Sequence, residues 1–240
     1  MTSYYIDFLG TPFRHACIVV LGISFIGASP AAQAQSGATN SNTITGTITV
    51  LDEEGLEMED RSNVIVFIDG VPEELRSEQR IDSVSVSQKD RIFAPRVLPI
   101  AQGASIDFLN DDNVYHNVFS LSEANTFDLG FYPEGTSKAV TFGETGLVHV
   151  YCNIHPNMVS TILVLNNTLF TTTNADGEFE ISNIPDGRFT LRVWREYSEE
   201  LNRDISVGGG TRLTEAFTLT ETGGTRSHTN KFGKRYRAKY

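Results

Sequence analysis

Hydrophobic and polar positions alternate along most of this chain, and almost nowhere do they repeat with a helical period. Thr43-Ile44-Thr45-Gly46-Thr47-Ile48-Thr49-Val50-Leu51 sets the pattern: β-branched residues dominate, and Ile44, Ile48 and Val50 fall in phase. That is how a strand with one buried face reads. Asn63 to Ile68 is a short apolar run closed by Asp69-Gly70, a turn pair. Further strands are predicted over 91–97, 105–109, 116–121, 137–142, 146–152 and 159–165, separated by Gly, Pro, Asn and Asp. Only Glu73 to Arg80 suggests a helical turn or two. Short strands at this spacing predict an all-β protein built of sandwiches or barrels.

The last third has a rhythm of its own. Phe170 to Thr173, Asn174-Ala175-Asp176-Gly177 and Glu178 to Ile181 read as a hairpin, with Asp-Gly at its tight turn. Ile184-Pro185-Asp186-Gly187 turns again, and Arg188 to Trp194 alternates, placing Phe189, Leu191 and Val193 on one face with Trp194 packing in the sandwich. The glycine triplet 208–210 reads as a turn between strands. The run Thr172 to Phe179 followed by Ile184 to Val193 resembles the carboxypeptidase regulatory-like, or transthyretin-like, β-sandwich. The two strands that precede this run in that family have their counterpart much earlier, at Ile44 to Ile48 and Val64 to Ile68, with Gly55 between them. The resemblance therefore implies one sandwich split in sequence, 43–72 plus 167–221, with a second domain over 80–165 inserted between its halves. The rival reading gives the first hairpin to the inserted domain itself. Insertions are tolerated where a domain's chain ends lie close together.

Residues 1–34 have the form of a secretory signal: Arg14 as the positive flank, an apolar run from Ala16 to Ile26, and Ala32-Gln33-Ala34 as a small-x-small cleavage site. The apolar run is shorter than the ~20 residues that span a bilayer, so no stable membrane insertion is expected. Export to the periplasm or beyond is. Cleavage would remove Cys17 and leave Cys152 as the single cysteine, so no intrachain disulfide can form. Between Gln35 and Glu221 there are 12 Lys and Arg against 29 Asp and Glu. An acidic body of this kind argues against nucleic acid as a partner and for steering of basic ones. From Thr222 onward the balance reverses, with six basic residues and no acid. Its Gly, Ser and Thr content and lack of apolar period predict a basic disordered tail over 222–240.

Soft ligands crowd one turn, Tyr151-Cys152-Asn153-Ile154-His155-Pro156-Asn157-Met158, spaced Cys-x-x-His-x-x-Met, and a second imidazole stands upstream at His116. Two His and one Cys with a weak axial Met is the donor set of a blue-copper electron-transfer site, whereas zinc favours a closed tetrahedron. A bound metal would also protect a lone exported thiol from oxidation. Read singly, Cys152 could be a small buried hydrophobe, His116 an ordinary surface histidine and Met158 plain core; together they predict a metal site of His116, Cys152, His155 and Met158. In the alternating run 148–152, Cys152 shares the inward face with Val148 and Val150, and His149 falls opposite and is not a ligand.

The segment from about Ile81 to Leu165 resembles the cupredoxin family, the plastocyanin- and amicyanin-like blue copper proteins, through Ser105 to Asn110, His116-Asn117-Val118 and the ligand turn. The resemblance implies a Greek-key β-sandwich holding one type 1 copper ion. It implies that Asn117 ties the His116 strand to the ligand loop, and that His155 reaches an apolar docking patch. Pro156, which has no N–H, stiffens the loop and removes one donor to the sulfur. Tyr151, pointing away from Cys152, would offer a second exit for an electron or be a plain surface tyrosine. Chains of this whole arrangement resemble those labelled methylamine-utilisation-like.

The function expected is one-electron transfer between a protein donor and a protein acceptor that dock near His155. The four-ligand set leaves no open position for a substrate, and a single cysteine excludes a thiolate-bridged pair of coppers; no enzyme activity is expected. Two other classes remain: a binding or adhesion module with a structural or regulatory copper, and a copper storage or delivery protein. The sequence sets no oligomeric state.

Overall fold

Strand after strand, the alternating runs become two β-sandwiches. The computed structural model describes residues 41–75, 84–224 and 228–236; the expected signal segment lies outside them. No helix among the described residues is long and apolar enough to cross a membrane. Of the helical stretch expected from Glu73 to Arg80, Glu73–Leu75 form a single 3-10 turn and the rest lies outside the described residues.

The first sandwich draws strands from both sides of a long intervening segment. One sheet has the order β13-β1-β16, from β13 (Glu178–Ile184), β1 (Asn42–Leu51) and β16 (Arg212–Thr220). The other runs β12-β2-β14-β15, from β12 (Phe170–Thr172), β2 (Ile65–Asp69), β14 (Gly187–Trp194) and β15 (Leu201–Val207). Ile44, Ile48 and Val50 of β1 face Val66 and Ile68 of β2, with Phe179, Leu191 and Val193 completing the core. Gly46 interrupts the apolar row for a steric reason. A Cβ there would stand 2.1 Å from the Glu215 carbonyl oxygen and 2.6 Å from the Phe179 ring.

The hairpin expected at 170–181 is not one. Residues 174–177 do turn, with Gly177 at φ +77°, but β12 pairs with β2 and β13 pairs with β1. The turn is an arch that carries the chain from one sheet to the other. Local alternation specifies a strand, but its partner is set by which sheet's apolar face it can complete.

Residues 84–165 form the second sandwich. Its sheets run β4-β3-β6-β9 and β5-β11-β10-β7-β8. The strands are β3 (Val84–Lys89), β4 (Ile92–Ala94), β5 (Val97–Ala101), β6 (Ser105–Asn110), β7 (His116–Ser122), β8 (Asn125–Tyr132), β9 (Ser137–Thr141), β10 (Gly146–Tyr151) and β11 (Val159–Leu165). The single strand expected over 91–97 is two strands in different sheets. Pro95 cannot donate to a ladder, and the chain crosses between the sheets there. Phe108, Val118, Phe142, Val148, Val150 and Ile162 fill this core together with Cys152 and Met158.

The two sandwiches share a seam of Ile65, Phe67, Val97 and Leu165, against which Trp194 packs. Beside it lies a buried polar knot. Thr161 donates to Glu196 at 2.5 Å, and Arg96 pairs with the other Glu196 oxygen at 2.6 Å.

Candidate metal centre

At one end of the second sandwich the chain leaves β10 at Tyr151 and returns in β11 at Val159. The seven residues between form a tight loop, because the Cys152 N–H donates to the Met158 carbonyl at 3.2 Å and the Met158 N–H to the His155 carbonyl at 3.1 Å. Cys152 and Met158 are fully buried there. Cys152 keeps the inward phase of Val148 and Val150; His149 points the other way, its Nδ1 3.3 Å from the Thr161 hydroxyl.

Beside the loop β7 begins with His116, also fully buried. Its Nδ1 lies 3.0 Å from His155 Nδ1, and Cys152 Sγ is 4.0 Å from the first nitrogen and 3.7 Å from the second. These three residues are the group of His, Cys, Asp and Glu side chains, among the described residues, whose ligand atoms all converge within 4.8 Å. Met158 is brought to the same loop by its backbone bond to Cys152. His155 is only half-buried, so one edge of the cluster faces solvent.

The triangle fits a metal ion. With metal–nitrogen bonds of about 2.0 Å and a metal–sulfur bond of about 2.3 Å, separations of 3.0, 3.7 and 4.0 Å are short enough for His116, His155 and Cys152 to hold one ion together. Two imidazoles and a thiolate are donors that suit copper.

The sequence did not mark out Asp112. Its carboxylate sits 2.9 Å from His116 Nε2, so that nitrogen carries a proton and Nδ1 faces the cluster. Asp112 is itself held in place, accepting the Arg91 N–H at 2.9 Å and the Asn113 N–H at 3.0 Å. Buried Asn110 shapes the loop before His116: its amide donates to the carbonyls of Val114 and Tyr132, and its oxygen accepts the Asp112 N–H. The only signal in the sequence was spacing, a carboxylate four residues before a histidine inside a polar turn.

Electrostatics favour a thiolate at Cys152. Burial alone would push the Cys152 thiol up. Hydrogen bonds from His116 and from the N–H groups of Asn117, Ile154 and His155 outweigh it and hold the thiol below its ordinary value. Burial also opposes charge on His116, but its bonds to Cys152 and Asp112 prevail and raise it. Burial, and then the nearby charges of His116 and Arg91, lower His155 and keep its lone pair free.

Asn117 meets the ligand loop through its main chain. Its side-chain amide donates to Asp128 at 2.7 Å, and it is its backbone N–H that reaches the Cys152 sulfur. The link from the His116 strand to the ligand loop therefore runs through the main chain, and the side chain ties β7 to β8. Its Oδ1 is buried with no partner among the described residues. Pro156 is exposed at the loop tip, where its carbonyl accepts from His228 Nε2 at 2.6 Å.

Within the expected tail, residues 228–236 form a turn: the Asn230 N–H donates to the Lys234 carbonyl at 2.9 Å and the Lys234 N–H to Asn230 Oδ1 at 3.1 Å, and the segment lies against the ligand loop. Composition had masked two anchors there, the aromatic rings of His228 and Tyr236.

The described chain is thus all-β, two sandwiches with a soft-donor cluster at one end of the second. No protein-family model and no curated protein matches it. Among solved structures it is similar to a purple cupredoxin from Nitrosopumilus maritimus, at 23% identity over 34% of this chain and 99% of that one, with a TM-score of 0.32. An amicyanin from Paracoccus versutus is 20% identical over 42% of this chain and 97% of its own, at a TM-score of 0.33. A Cu-containing nitrite reductase from Thermus scotoductus is 24% identical over 38% of this chain and 24% of its own, at 0.35. At these scores the likenesses add nothing to what the side chains themselves show.

Proposed function

We propose that this protein is an exported, mononuclear type 1 copper protein that carries one electron between protein partners and catalyses no reaction of its own. The observation that carries the reading is the convergence of His116 Nδ1, His155 Nδ1 and Cys152 Sγ within 4.8 Å, with Met158 on the same closed loop. Copper bound there would supply a one-electron couple. The protein's own part is to hold the donors still. Asp112 keeps the proton of His116 on Nε2. Three backbone N–H groups stabilise the Cys152 thiolate, so its proton leaves readily on metal binding. The closed loop lets the donors keep their places in both oxidation states, which limits the rearrangement that would slow transfer. Half-buried His155 is the natural point of contact for a partner. Exposed Ile92 and Tyr115, on segments flanking Asp112 and His116, support an apolar docking patch on that side. Export rests on the N-terminal pattern of Arg14, Ala16 to Ile26 and Ala32 to Ala34. For the first sandwich we infer the carboxypeptidase regulatory-like fold, supported by the pairing of β1 with β13 and β16.

Visible absorption and electron paramagnetic resonance of the purified protein with Cu(II) test the reading. An intense thiolate-to-copper band that cycles reversibly and is lost in Cys152→Ala is the expected result. A colourless protein, or one that closes around zinc instead, would overturn it. Copper that exchanges freely as Cu(I) would favour delivery over transfer.

A further inference from the structure

The ligand loop is not held by its own sandwich alone. His228 stacks on Tyr151 with ring centroids 4.2 Å apart and planes 21° from parallel. Its Nε2 donates to the Pro156 carbonyl at 2.6 Å. The Tyr236 hydroxyl donates to the Cys152 carbonyl at 2.8 Å and lies 3.3 Å from His228 Nδ1. Between these anchors the Lys231 N–H donates to Asn153 Oδ1 at 3.1 Å, and its ammonium pairs with Asp128 at 2.6 Å. Asp128 is the carboxylate that Asn117 also holds. One nine-residue segment thus touches positions 151, 152, 153 and 156 of the loop and the strand beside it.

We propose that residues 228–236 are a clamp on the metal centre, with Tyr236 and His228 as positioning residues for Cys152. The Cys152 carbonyl sits where β10 has ended and the ladder no longer fixes the chain. A hydrogen bond to that carbonyl sets the peptide plane and with it the direction of the Cα–Cβ bond that aims the sulfur. The stack of His228 on Tyr151 covers the outer face of the same strand end. The face of the loop at Tyr151 is thereby covered, and the half-buried His155 edge is left as the way in for a metal ion or a partner. The second exit through Tyr151 is blocked for direct docking, since the ring lies under His228.

Because Cys152 is fully buried, a reagent reaches its thiol only when the loop opens. The rate of alkylation of the reduced, metal-free protein by iodoacetamide therefore reads the opening equilibrium. Chains ending at Gly224 should alkylate at least about tenfold faster than the full chain. The Tyr236→Phe variant, which keeps the ring and loses the donor, should alkylate several-fold faster. The exposed Lys234→Ala should match wild type. In the copper-loaded protein, Tyr236→Phe should shift the thiolate-to-copper band and speed copper loss to a chelator. That second measurement rests on the copper reading above, and the first does not. A wild type without the band would overturn copper and leave the clamp to the alkylation rates. Equal alkylation of the full and shortened chains would overturn the clamp, whatever the spectrum. Should the shortened chain fail to fold by circular dichroism, Tyr236→Phe decides: wild-type alkylation and an unshifted band would sink the proposal.

Discussion

At the scale of single residues the centre depends on groups that touch the donors as much as on the donors. Asp112 fixes which nitrogen of His116 is free, and a carboxylate in that position also makes the imidazole a better ligand. Asp112→Asn keeps the shape and removes the charge. It should weaken copper binding about 10- to 100-fold, read by competition with a chelator of known affinity, with the fold unchanged by circular dichroism. The cluster of His116, Cys152 and His155 could be picked out in the sequence because the spacing beside it is rare: a cysteine, a histidine three places on and a methionine three beyond that. Asp112 could not, since an aspartate in a polar loop is common and only the bond at 2.9 Å distinguishes it. Nor could the sequence tell that Asn117 would reach the sulfur through its main chain, which every residue carries.

Among the elements, most strands were legible and their pairing was not; β3, β8, β15 and β16 were not anticipated. Alternation marks β1, β6, β10 and β14 because each buries one face, whereas β11, buried on both, shows as a short apolar run. β8 carried the same signal, with Phe127, Leu129 and Phe131 in phase, and it was hidden by an edge strand's half-exposed pattern. The arch at 174–177 looked like a hairpin because a turn's residues say that the chain bends, not which sheet it enters next. Gly46 shows the opposite: a glycine within a strand, required by a neighbour far away in sequence. Gly46→Ala would push a methyl into the Glu215 carbonyl and the Phe179 ring. The expected cost is about 1–3 kcal/mol, measured as a lower urea midpoint, with copper binding retained because the second sandwich is untouched.

For the molecule as a whole, the seam decides whether the two sandwiches act as one body. Glu196 is nearly fully buried and serves both sides, accepting from Thr161 of the second sandwich and pairing with Arg96 beside it. Arg96 is half exposed, so its pairing contributes little by itself; the buried Thr161 hydroxyl is the group left unsatisfied when the carboxylate goes. Glu196→Ala should cost about 1–3 kcal/mol and make thermal unfolding less cooperative, visible as a broader calorimetric transition. A transition of unchanged width and midpoint would mean that the apolar seam alone couples the halves. The connectivity of the first sandwich has a further consequence for how the chain is made. β1 finds its partners only at residues 178–184 and 212–220, whereas every strand of the second sandwich pairs within 84–165. As the polypeptide emerges from its N-terminus, every strand of the second sandwich is present while the half that began first still waits with two bare, β-branched strands. The order of synthesis and the order of folding are therefore inverted. Until the last strand arrives, β1 and β2 are open edges of the kind that seed aggregation, and their protection falls to whatever escorts the growing chain.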